Sequence, residues 1–431
     1  MRKQYYLTVR PDKKELFTLP PAWVPAHIVE PQESTVIPPI AHMAAAALAQ
    51  AEGIPPLSAL AAGAGRVVII VEDATRPTPV AEILPVLLSA LAEAGIPRER
   101  IAIVIALGTH VRMQQADLEK RFGSAVVRDY RIVQHDAWQE DLVAIPLPDG
   151  RVVKVNPEVV HADLAIGISS ILPHPMAGYG GGPKIIMPGL CNFEFIRDHH
   201  MRHSIHPKAR AGSIEGNPFH AEVWQVARAV GLTLSLNCVY NQLGQVIRII
   251  AGDLETAFAK AVSVSSEALG HRFPEQVDVT ITSTYPHIHG HQFPKGLSAP
   301  DVVTKDSGAI LLFAPLVTPV LEEFRNSFAI VAERSGNRAA QFVTDAMSQG
   351  LPFLPERPLE FNMAMSCMIL RPSIRTIMVS PLVTNEEART MGLEHASSLT
   401  EGLQRLEQAY SQATVAIFPS GGLIVPITAW N

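Results

Sequence analysis

The sequence predicts an α/β protein made of two α/β domains with mainly parallel sheets. Two kinds of segment alternate along the first half of the chain: short runs rich in β-branched residues, typical of strands buried on both faces, and longer segments with apolar residues at helical spacing. Residues 66–72 and 101–107 are such runs, and residues 80–94 are the helical segment between them. A strand, a helix and a second strand in this order favour a parallel sheet. After a change of composition near residues 267–276, a second series of strand-like runs follows.

The same patterns place the remaining elements. Residues 163–169 are expected to be a third buried strand, and an alanine-rich helix is expected near residues 42–52. The rest of the first 60 residues is rich in proline and predicts irregular structure. We place a first domain at residues 1–270 and a second at residues 271–431, with the extreme C-terminus free to pack back on the first domain. The strands of the second domain are predicted at residues 277–282, 309–313, 376–379 and 414–418.

Capping residues mark the ends of two helices. Thr78 is the expected N-cap of the helix at residues 80–94, and Gly95 is expected just after its end. A second helix is predicted between Asn217, as N-cap, and Gly231, as the stop.

Composition excludes several classes of protein. A hydrophobic content of 47% and a positive mean hydropathy fit a compact globular chain, and no apolar run reaches the length of a membrane span. A formal charge of −6 without a basic block argues against nucleic acid as a partner. The N-terminus lacks the apolar core of a signal peptide, and three scattered cysteines form no CxxC pair. We therefore expect a cytoplasmic protein that acts on a small molecule.

Polar side chains follow each of the three predicted parallel strands. Asp73 and Arg76 follow the first strand, His110 the second and His174 the third. Because ligands of open α/β sheets bind at the carboxyl ends of the strands, these residues are expected to share one rim. Arg76 would suit a carboxylate or a phosphate. Taken singly, a rigid proline turn at Asp73 and an ordinary loop histidine at position 110 are the alternatives.

A glycine cluster with one lysine is the strongest single motif. Four of the five residues from Gly178 to Gly182 are glycines, and Lys184 follows closely. Such a cluster costs conformational entropy, and it allows backbone amides to approach an anion closely. It is not a Walker loop, because Pro183 and Ile185 occupy positions that this motif reserves for glycine and Ser/Thr. The pattern predicts a cofactor site.

Two histidine-rich windows complete the set. In the first, from His199 to His206, we expect one metal ligand; the glutamate of the HExxH motif is missing, and a solvated helix face is the alternative. The second contains three histidines at positions 287, 289 and 291, followed by Gln292 and Lys295. It is either a loop that binds metals adventitiously or a polar segment that the second domain closes over the substrate.

Together these motifs resemble the nickel-dependent lactate racemase family over nearly the whole chain. The matching elements are Asp73-Ala-Thr-Arg76-Pro, Gly108-Thr109-His110, His174 before Gly178-Tyr179, Gly181-Gly182-Pro-Lys184, Pro188-Gly189, His199-His200, and Gln292 with Lys295.

The resemblance implies a cofactor and a role for each residue. It implies a nickel-pincer nucleotide, pyridinium-3,5-dithiocarboxylate mononucleotide nickel, tethered to Lys184 through a thioamide in a cleft between the two domains. His200 would bind the nickel, and His110 and His174 would be opposed acid/base groups. The cofactor would also contact Asp73, Gly178, Gly181 and Gly182. The substrate, a 2-hydroxy acid, would be bound by Arg76, Gln292 and Lys295. The reaction implied is racemisation or epimerisation at C2, and proteins that make the cofactor would be needed for maturation.

Several positions depart from the family pattern and bear on the substrate. In the family, serine often occupies the position of Gly180, arginine that of Val111 and tyrosine that of His291, and an aspartate common in the loop after Tyr285 is missing. We therefore expect a substrate longer or more polar than lactate. The alternatives are a histidine-metal-dependent hydrolase or lyase and a non-catalytic cofactor-binding protein.

Overall fold

The computed structural model describes residues 3–29, 36–428 and 430. Residues 30–35, part of the stretch predicted to be irregular, lie outside the described residues. The strands up to residue 252 are β1 (Gln4–Arg10), β2 (Lys13–Thr18), β3 (Trp23–Ile28), β4 (Val67–Glu72), β5 (Ile101–Ala106), β6 (Arg131–Gln134), β7 (Val143–Pro146), β8 (Val152–Val155), β9 (Leu164–Ile171), β10 (Pro173–His174), β11 (Gly178–Tyr179), β12 (Leu234–Tyr240) and β13 (Val246–Gly252). The later strands are β14 (Gly270–Phe273), β15 (Val277–Ser283), β16 (Thr304–Phe313), β17 (Arg375–Val379), β18 (Glu394–Ala396), β19 (Ala413–Phe418) and β20 (Val425–Thr428).

Helices connect most of these strands. They are α1 (Ile40–Ala49), α2 (Leu57–Ala61), α3 (Val80–Glu93), α4 (Gln115–Phe122), α5 (Ser124–Asp129), α6 (Pro157–Val160), α7 (Phe193–His203), α8 (Pro218–Val230), α9 (Leu254–Leu269), α10 (Pro300–Val303), α11 (Glu322–Ser335), α12 (Ala339–Ser348), α13 (Leu359–Ile369), α14 (Asn385–Thr390) and α15 (Leu399–Ala409). Short 3-10 helices lie at Arg98–Arg100, Gly182–Ile185, Gly290–Leu297 and Gly421–Leu423.

The first sheet has six strands in the order β13-β12-β9-β4-β5-β6. All neighbours are parallel except β12 and β13. Every residue of β4 and β9 is buried, as expected for strands covered by helices on both faces. The three strands predicted here are confirmed, and their carboxyl ends lie side by side.

The second sheet also has six strands, in the order β18-β17-β16-β15-β19-β3, and is parallel throughout. The predicted α/β class with two mainly parallel sheets is confirmed, and so are the four strands predicted after residue 271. One apolar cluster contains residues of both sheets, Val68 and Ile70 of β4 together with Ile310 and Leu312 of β16. The bounds 1–270 and 271–431 for two domains stay a prediction.

The prediction of irregular structure in the N-terminal segment is wrong. Residues 4–28 contain three strands, and β3 forms the edge of the second sheet beside β19. The indole nitrogen of Trp23 donates a hydrogen bond to the backbone oxygen of Tyr410 at 2.8 Å. Prolines obscured this strand: Pro25 lies within it, next to an irregularity of the pairing with β19. An edge strand tolerates proline because one row of its backbone groups needs no partner in the sheet.

The predicted N-cap of α3 is also wrong. Pro79 occupies the N-cap position, with no side-chain cap. The hydroxyl of Thr78 instead donates to the Glu72 carboxylate at 2.5 Å and lies 2.7 Å from the hydroxyl of Ser170. The side chain that was expected to cap α3 therefore forms its hydrogen bond with a buried carboxylate instead.

No helix in the described part of the chain is long and apolar enough to cross a membrane. The three cysteines are unpaired, with Cys191 and Cys238 buried and Cys367 partly buried.

Asn217 caps α8 as predicted and also supports the loop after His174. Its side-chain oxygen accepts from the amides of Phe219 and His220, and its amide nitrogen donates to the backbone oxygen of Met176 at 2.8 Å. We expect Asn217→Ala to lower the free energy of unfolding by about 1–2 kcal/mol, since a helix cap and a buried hydrogen bond are both lost. Urea denaturation measures this. Thr384→Ala, which removes the cap of α14 away from the cavity, is the matched control. An unchanged denaturation midpoint for Asn217→Ala would contradict the assignment.

Candidate active site

A cavity of about 190 Å³ lies at the carboxyl ends of β4, β5 and β9 and is closed by residues 287–295 and α13 from the second half of the chain. Most of the predicted site residues line it: Asp73, Arg76, His110, His174, Gly181, Lys184, His200, Gln292 and Lys295. Gly178 and Gly182 do not.

Asp73 fixes one of the two candidate acid/base histidines. Its carboxylate lies 2.6 Å from Nδ1 of His110, and its other oxygen accepts from the amide of Thr75 at 2.6 Å. Burial alone would raise the pKa of the Asp73 carboxyl, but the hydrogen bond and charge of His110 and the charge of Arg76 outweigh it and leave that pKa lowered. Because the carboxylate is ionised, it favours a proton on Nδ1 of His110. When the ring is neutral, its Nε2 atom then carries the lone pair.

His174 is held in the opposite tautomer. Its Nδ1 accepts from the backbone amides of Ala177, at 3.1 Å, and Met176, at 3.3 Å. An acceptor at Nδ1 requires the proton of the neutral ring to be on Nε2. Burial and the positive charges of Lys184 and Lys295 hold the pKa of His174 well below its usual value, so the ring is neutral.

Three cationic side chains share the cavity. Burial and the charge of Arg76 lower the pKa of both Lys184 and Lys295 to about 7. The Lys184 amine lies 5.2 Å from the centre of the Phe219 ring. The Arg76 guanidinium makes no hydrogen bond to the described part of the chain, so it is free to bind a carboxylate.

The histidines of α7 differ in what their ring nitrogens contact. His200 donates from Nδ1 to the backbone oxygen of Ile196 at 2.8 Å, which leaves its Nε2 lone pair unused. Burial and the charge of Lys184 lower the pKa of His200 to about 3. A neutral ring whose second nitrogen donates to a carbonyl is the usual arrangement of a histidine that binds a metal.

The two neighbouring histidines of His200 already have hydrogen-bond partners. His199 is fully buried, and its Nε2 lies 3.0 Å from the backbone oxygen of Phe219. His203 pairs through Nε2 with Glu222 at 2.5 Å. Over residues 3–29, 36–428 and 430, no group of three or more His, Cys, Asp or Glu side chains is arranged to hold a metal.

The glycine cluster has structural reasons of its own. Gly178, Gly181 and Gly182 all have positive φ, and a Cβ on each would lie within 3 Å of Ser213, Ser170 or Phe258, respectively. Gly180 differs, because it lines the cavity and the nearest atoms to a Cβ there would be 3.7 Å away. A side chain would fit at Gly180, so its absence enlarges the cavity.

The sequence did not single out several residues of the cavity. Glu72 is buried, and burial raises the pKa of its carboxyl. It accepts from the amide of Ser170 at 2.9 Å, and the hydroxyl of Ser170 lies 2.7 Å from that of Tyr240. The signal available in the sequence for Glu72 was a charged residue at the end of an apolar strand. Glu360 and Cys367 come from α13, whose apolar sequence gave none.

Fold and cavity together define a class: an α/β protein with two mainly parallel sheets and a cavity in which histidines, lysines and an arginine meet. Residues 12–212 match the model of the lactate racemase N-terminal domain. A lactate racemase of Lactiplantibacillus plantarum is 30% identical over 378 residues, which are 86% of this chain and 87% of that protein. The chain therefore belongs to the lactate racemase family.

Other relatives agree with this membership. A lactate racemase of Thermoanaerobacterium thermosaccharolyticum is 32% identical over 263 residues, which span 60% of this chain and 62% of that protein, slightly under two thirds. The structure of the lactate racemase apoprotein from that organism matches with a TM-score of 0.83 at 25% identity, covering 99% of this chain and 100% of the other. A protein from Thermotoga maritima shares the fold, with a TM-score of 0.63 at 18% identity over 86% of this chain and 96% of the other.

The lowered lysine pKa values can be measured by competitive labelling with acetic anhydride, followed by peptide mass spectrometry. Because Lys184 and Lys295 have pKa values of about 7, their amines should become reactive as the pH rises through about 7. Exposed lysines, which ordinarily have a pKa of about 10.4, are the internal control. Reactivity of Lys184 only above about pH 9 would contradict its lowered pKa.

Proposed function

We propose that this protein is an isomerase that racemises or epimerises a 2-hydroxy acid at C2, with a nickel-pincer nucleotide tethered to Lys184. The observation that carries the proposal is that His110, His174, Arg76 and Lys184 line a single cavity although they follow different strands. Membership of the lactate racemase family supports the reaction class.

The side chains fit this cofactor. A lysine with a pKa of about 7 has a substantial fraction of neutral amine at neutral pH, which is the form able to make a covalent tether. His200 would hold the nickel through Nε2, because its Nδ1 is already occupied by the Ile196 carbonyl. The remaining nickel ligands would come from the nucleotide, so the proposal needs only one protein ligand. When bound, the cofactor supplies an acceptor for the α-hydrogen as hydride.

The two histidines would move the hydroxyl proton. Nε2 of His110 has a lone pair and would act as the base that takes the hydroxyl proton, whereas the acid at His174 would be its imidazolium form, because the neutral ring described here can only donate a hydrogen bond from Nε2. Racemisation needs one group of each kind, on opposite sides of the substrate, and the roles are exchanged for the other enantiomer. The protonation state of His110 described here serves the enantiomer whose hydroxyl faces His110. Asp73 acts as a positioning residue, because it keeps the proton of His110 on Nδ1.

The carboxylate of the substrate would bind to Arg76, supported by Gln292 and Lys295. The rest of the rim is polar, since His287 and His291 also line the cavity, and the missing side chain at Gly180 leaves added room. A site lined by hydrogen-bonding groups discriminates against substrates that leave those groups unpaired. We therefore expect a longer or more polar 2-hydroxy acid to be a better substrate than lactate.

The central test is maturation of the protein by co-expression with the proteins that make the cofactor. Intact-mass and peptide spectrometry should find a covalent adduct on Lys184, and the matured protein should interconvert the C2 stereoisomers of at least one acid in a panel of enantiopure 2-hydroxy acids. Lys295→Ala is the matched control, because Lys295 is a cavity lysine with the same pKa of about 7 and should not affect the adduct. Nickel without covalent mass on Lys184 would favour a hydrolase or lyase that uses the histidines directly. An adduct without turnover of any acid would favour a cofactor-binding protein.

The metal ligand is tested separately. His200→Ala should retain the adduct on Lys184 but lose bound nickel, measured by plasma mass spectrometry. His203→Ala is the matched control, because His203 lies on the same helix and pairs with Glu222. Undiminished nickel in His200→Ala would contradict the assignment.

The acid/base assignment predicts a loss in both directions of the reaction. His110→Ala and His174→Ala should each reduce kcat by about 10²–10⁴-fold for either enantiomer, because general acid–base groups contribute that much. The nickel content and the adduct should be unchanged. With the unsubstituted enzyme, α-deuterium from the solvent should enter the product only slowly, since the α-hydrogen is transferred as hydride. Rapid wash-in would indicate a proton-abstraction racemase instead.

A further inference from the structure

A second cavity, of about 490 Å³, adjoins the candidate active site. We call it the vestibule and define it by Val111, Arg112, Asp136, Trp138, Phe193 and Arg357. Gly108, Thr109, His110, Leu359 and Glu360 line both cavities. The vestibule therefore begins where the proposed proton-transfer group, His110, lies.

An aromatic platform forms one side of the vestibule. The rings of Trp138 and Phe193 are stacked, with centroids 5.0 Å apart and an angle of 24° between their planes. Trp138 nevertheless remains 59% exposed. The turn that carries it is fixed, because its amide donates to the Asp136 carboxylate at 3.0 Å. A rigid, exposed tryptophan provides a flat apolar surface on which the carbon skeleton of a ligand can lie.

The polar groups of the vestibule include both donors and acceptors. Arg112 is exposed and makes no hydrogen bond to the described residues. Arg357 donates from Nη1 to Glu323 at 2.6 Å, but its buried Nε has no partner in the described part of the chain. Carboxylates are supplied by Glu360 and Asp136.

This mixture selects the chemistry of the ligand. A hydroxyl group can donate to a carboxylate and accept from a guanidinium, so a chain with several hydroxyls satisfies both. A carboxylate there would approach Glu360 and Asp136 as well as the two guanidinium groups, and a hydrocarbon chain would leave the buried Nε of Arg357 unpaired.

Helix α7 runs past both cavities and gives a scale for their separation. Phe193 is its first residue and His200 its eighth, so the two positions are about 10 Å apart along the helix axis at a rise of 1.5 Å per residue. His200 lines the first cavity and Phe193 the vestibule. Lactate is too short to reach from one to the other, whereas an acid with several further carbons is long enough.

We infer that the vestibule binds the distal, hydroxyl-bearing chain of an elongated 2-hydroxy acid, as in an aldonic acid, while its carboxylate and C2 lie at Arg76 and His110. The inference rests on the proposed function and names the substrate class of that site. Trp138 is the specificity-determining residue, because its exposed face contacts only the part of the substrate that lactate lacks.

The test uses matured enzyme and three acids: lactate, a six-carbon aldonic acid and the dicarboxylate 2-hydroxyglutarate. The aldonic acid should have the highest kcat/KM. Trp138→Ala should lower kcat/KM for the aldonic acid about tenfold or more, chiefly through KM, as for the loss of an aromatic contact to a bound partner. Its kcat/KM for lactate should change less than about twofold, since the substitution lies outside the space that lactate occupies. Trp430→Ala is the matched control, because Trp430 is an exposed tryptophan that lines neither cavity.

Three other outcomes would contradict the role of Trp138, the kind of chain bound in the vestibule, or the proposed function. An equal loss for lactate and the aldonic acid, or no loss for either, would remove Trp138 from substrate recognition. A preference for 2-hydroxyglutarate would assign the vestibule to an anionic chain instead. If unsubstituted protein that carries both adduct and nickel turned over neither these acids nor any other acid in the panel of 2-hydroxy acids, the proposed function itself would be wrong.

Discussion

The candidate site depends on the level at which three neighbouring strands end. In the pairing of β4 with β5, Glu72 lies opposite Ala106, and in the pairing of β4 with β9, Val71 lies opposite Ile168. β9 continues three residues further, to Ile171, and the residues that follow these parallel strands emerge at one edge of the sheet. The strands themselves are buried on both faces and have little room for polar groups. Asp73, Arg76 and His110 thus lie in the loops after β4 and β5, and His174 lies shortly after β9, whereas Lys184 and His200 come from helices.

The cavity at this edge of the sheet concentrates positive charge. Arg76, Lys184 and Lys295 line one small cavity, and the lowered pKa values of both lysines reflect the cost of charging them all in partly buried positions. His174 and His200 are neutral for the same reason. Binding of a carboxylate would supply the missing negative charge and raise the lysine pKa values again. Binding of an anionic substrate and proton uptake would therefore be coupled in this cavity.

Much of the site could be predicted because its residues follow strands with a strong apolar signal. Arg76, His110 and His174 needed only the positions of three strands and the rule for parallel sheets. Features set by tertiary contacts could not be predicted. Thr78 donates a hydrogen bond to the buried Glu72 and does not cap the helix that follows it. Likewise, β3 is a strand although Pro25 lies within it. Glu360 reaches the cavity from a helix with no polar pattern, and the glycines of residues 178–182 are explained in part by packing against residues far along the chain.

The position of β3 has a consequence for how the protein is made. Trp23, in β3, and Tyr410, beside β19, are 387 residues apart in the sequence yet share a hydrogen bond. Since ribosomes add roughly 5–20 residues per second, β3 emerges on the order of tens of seconds before its partner strand exists. During that time the hydrogen-bonding edge of β3 lacks its partner strand, and the indole nitrogen of Trp23 lacks its acceptor. The second sheet can be completed only after β19 has been synthesised, so β3 is among the last strands to reach its final place and depends for long on protection from association with other chains.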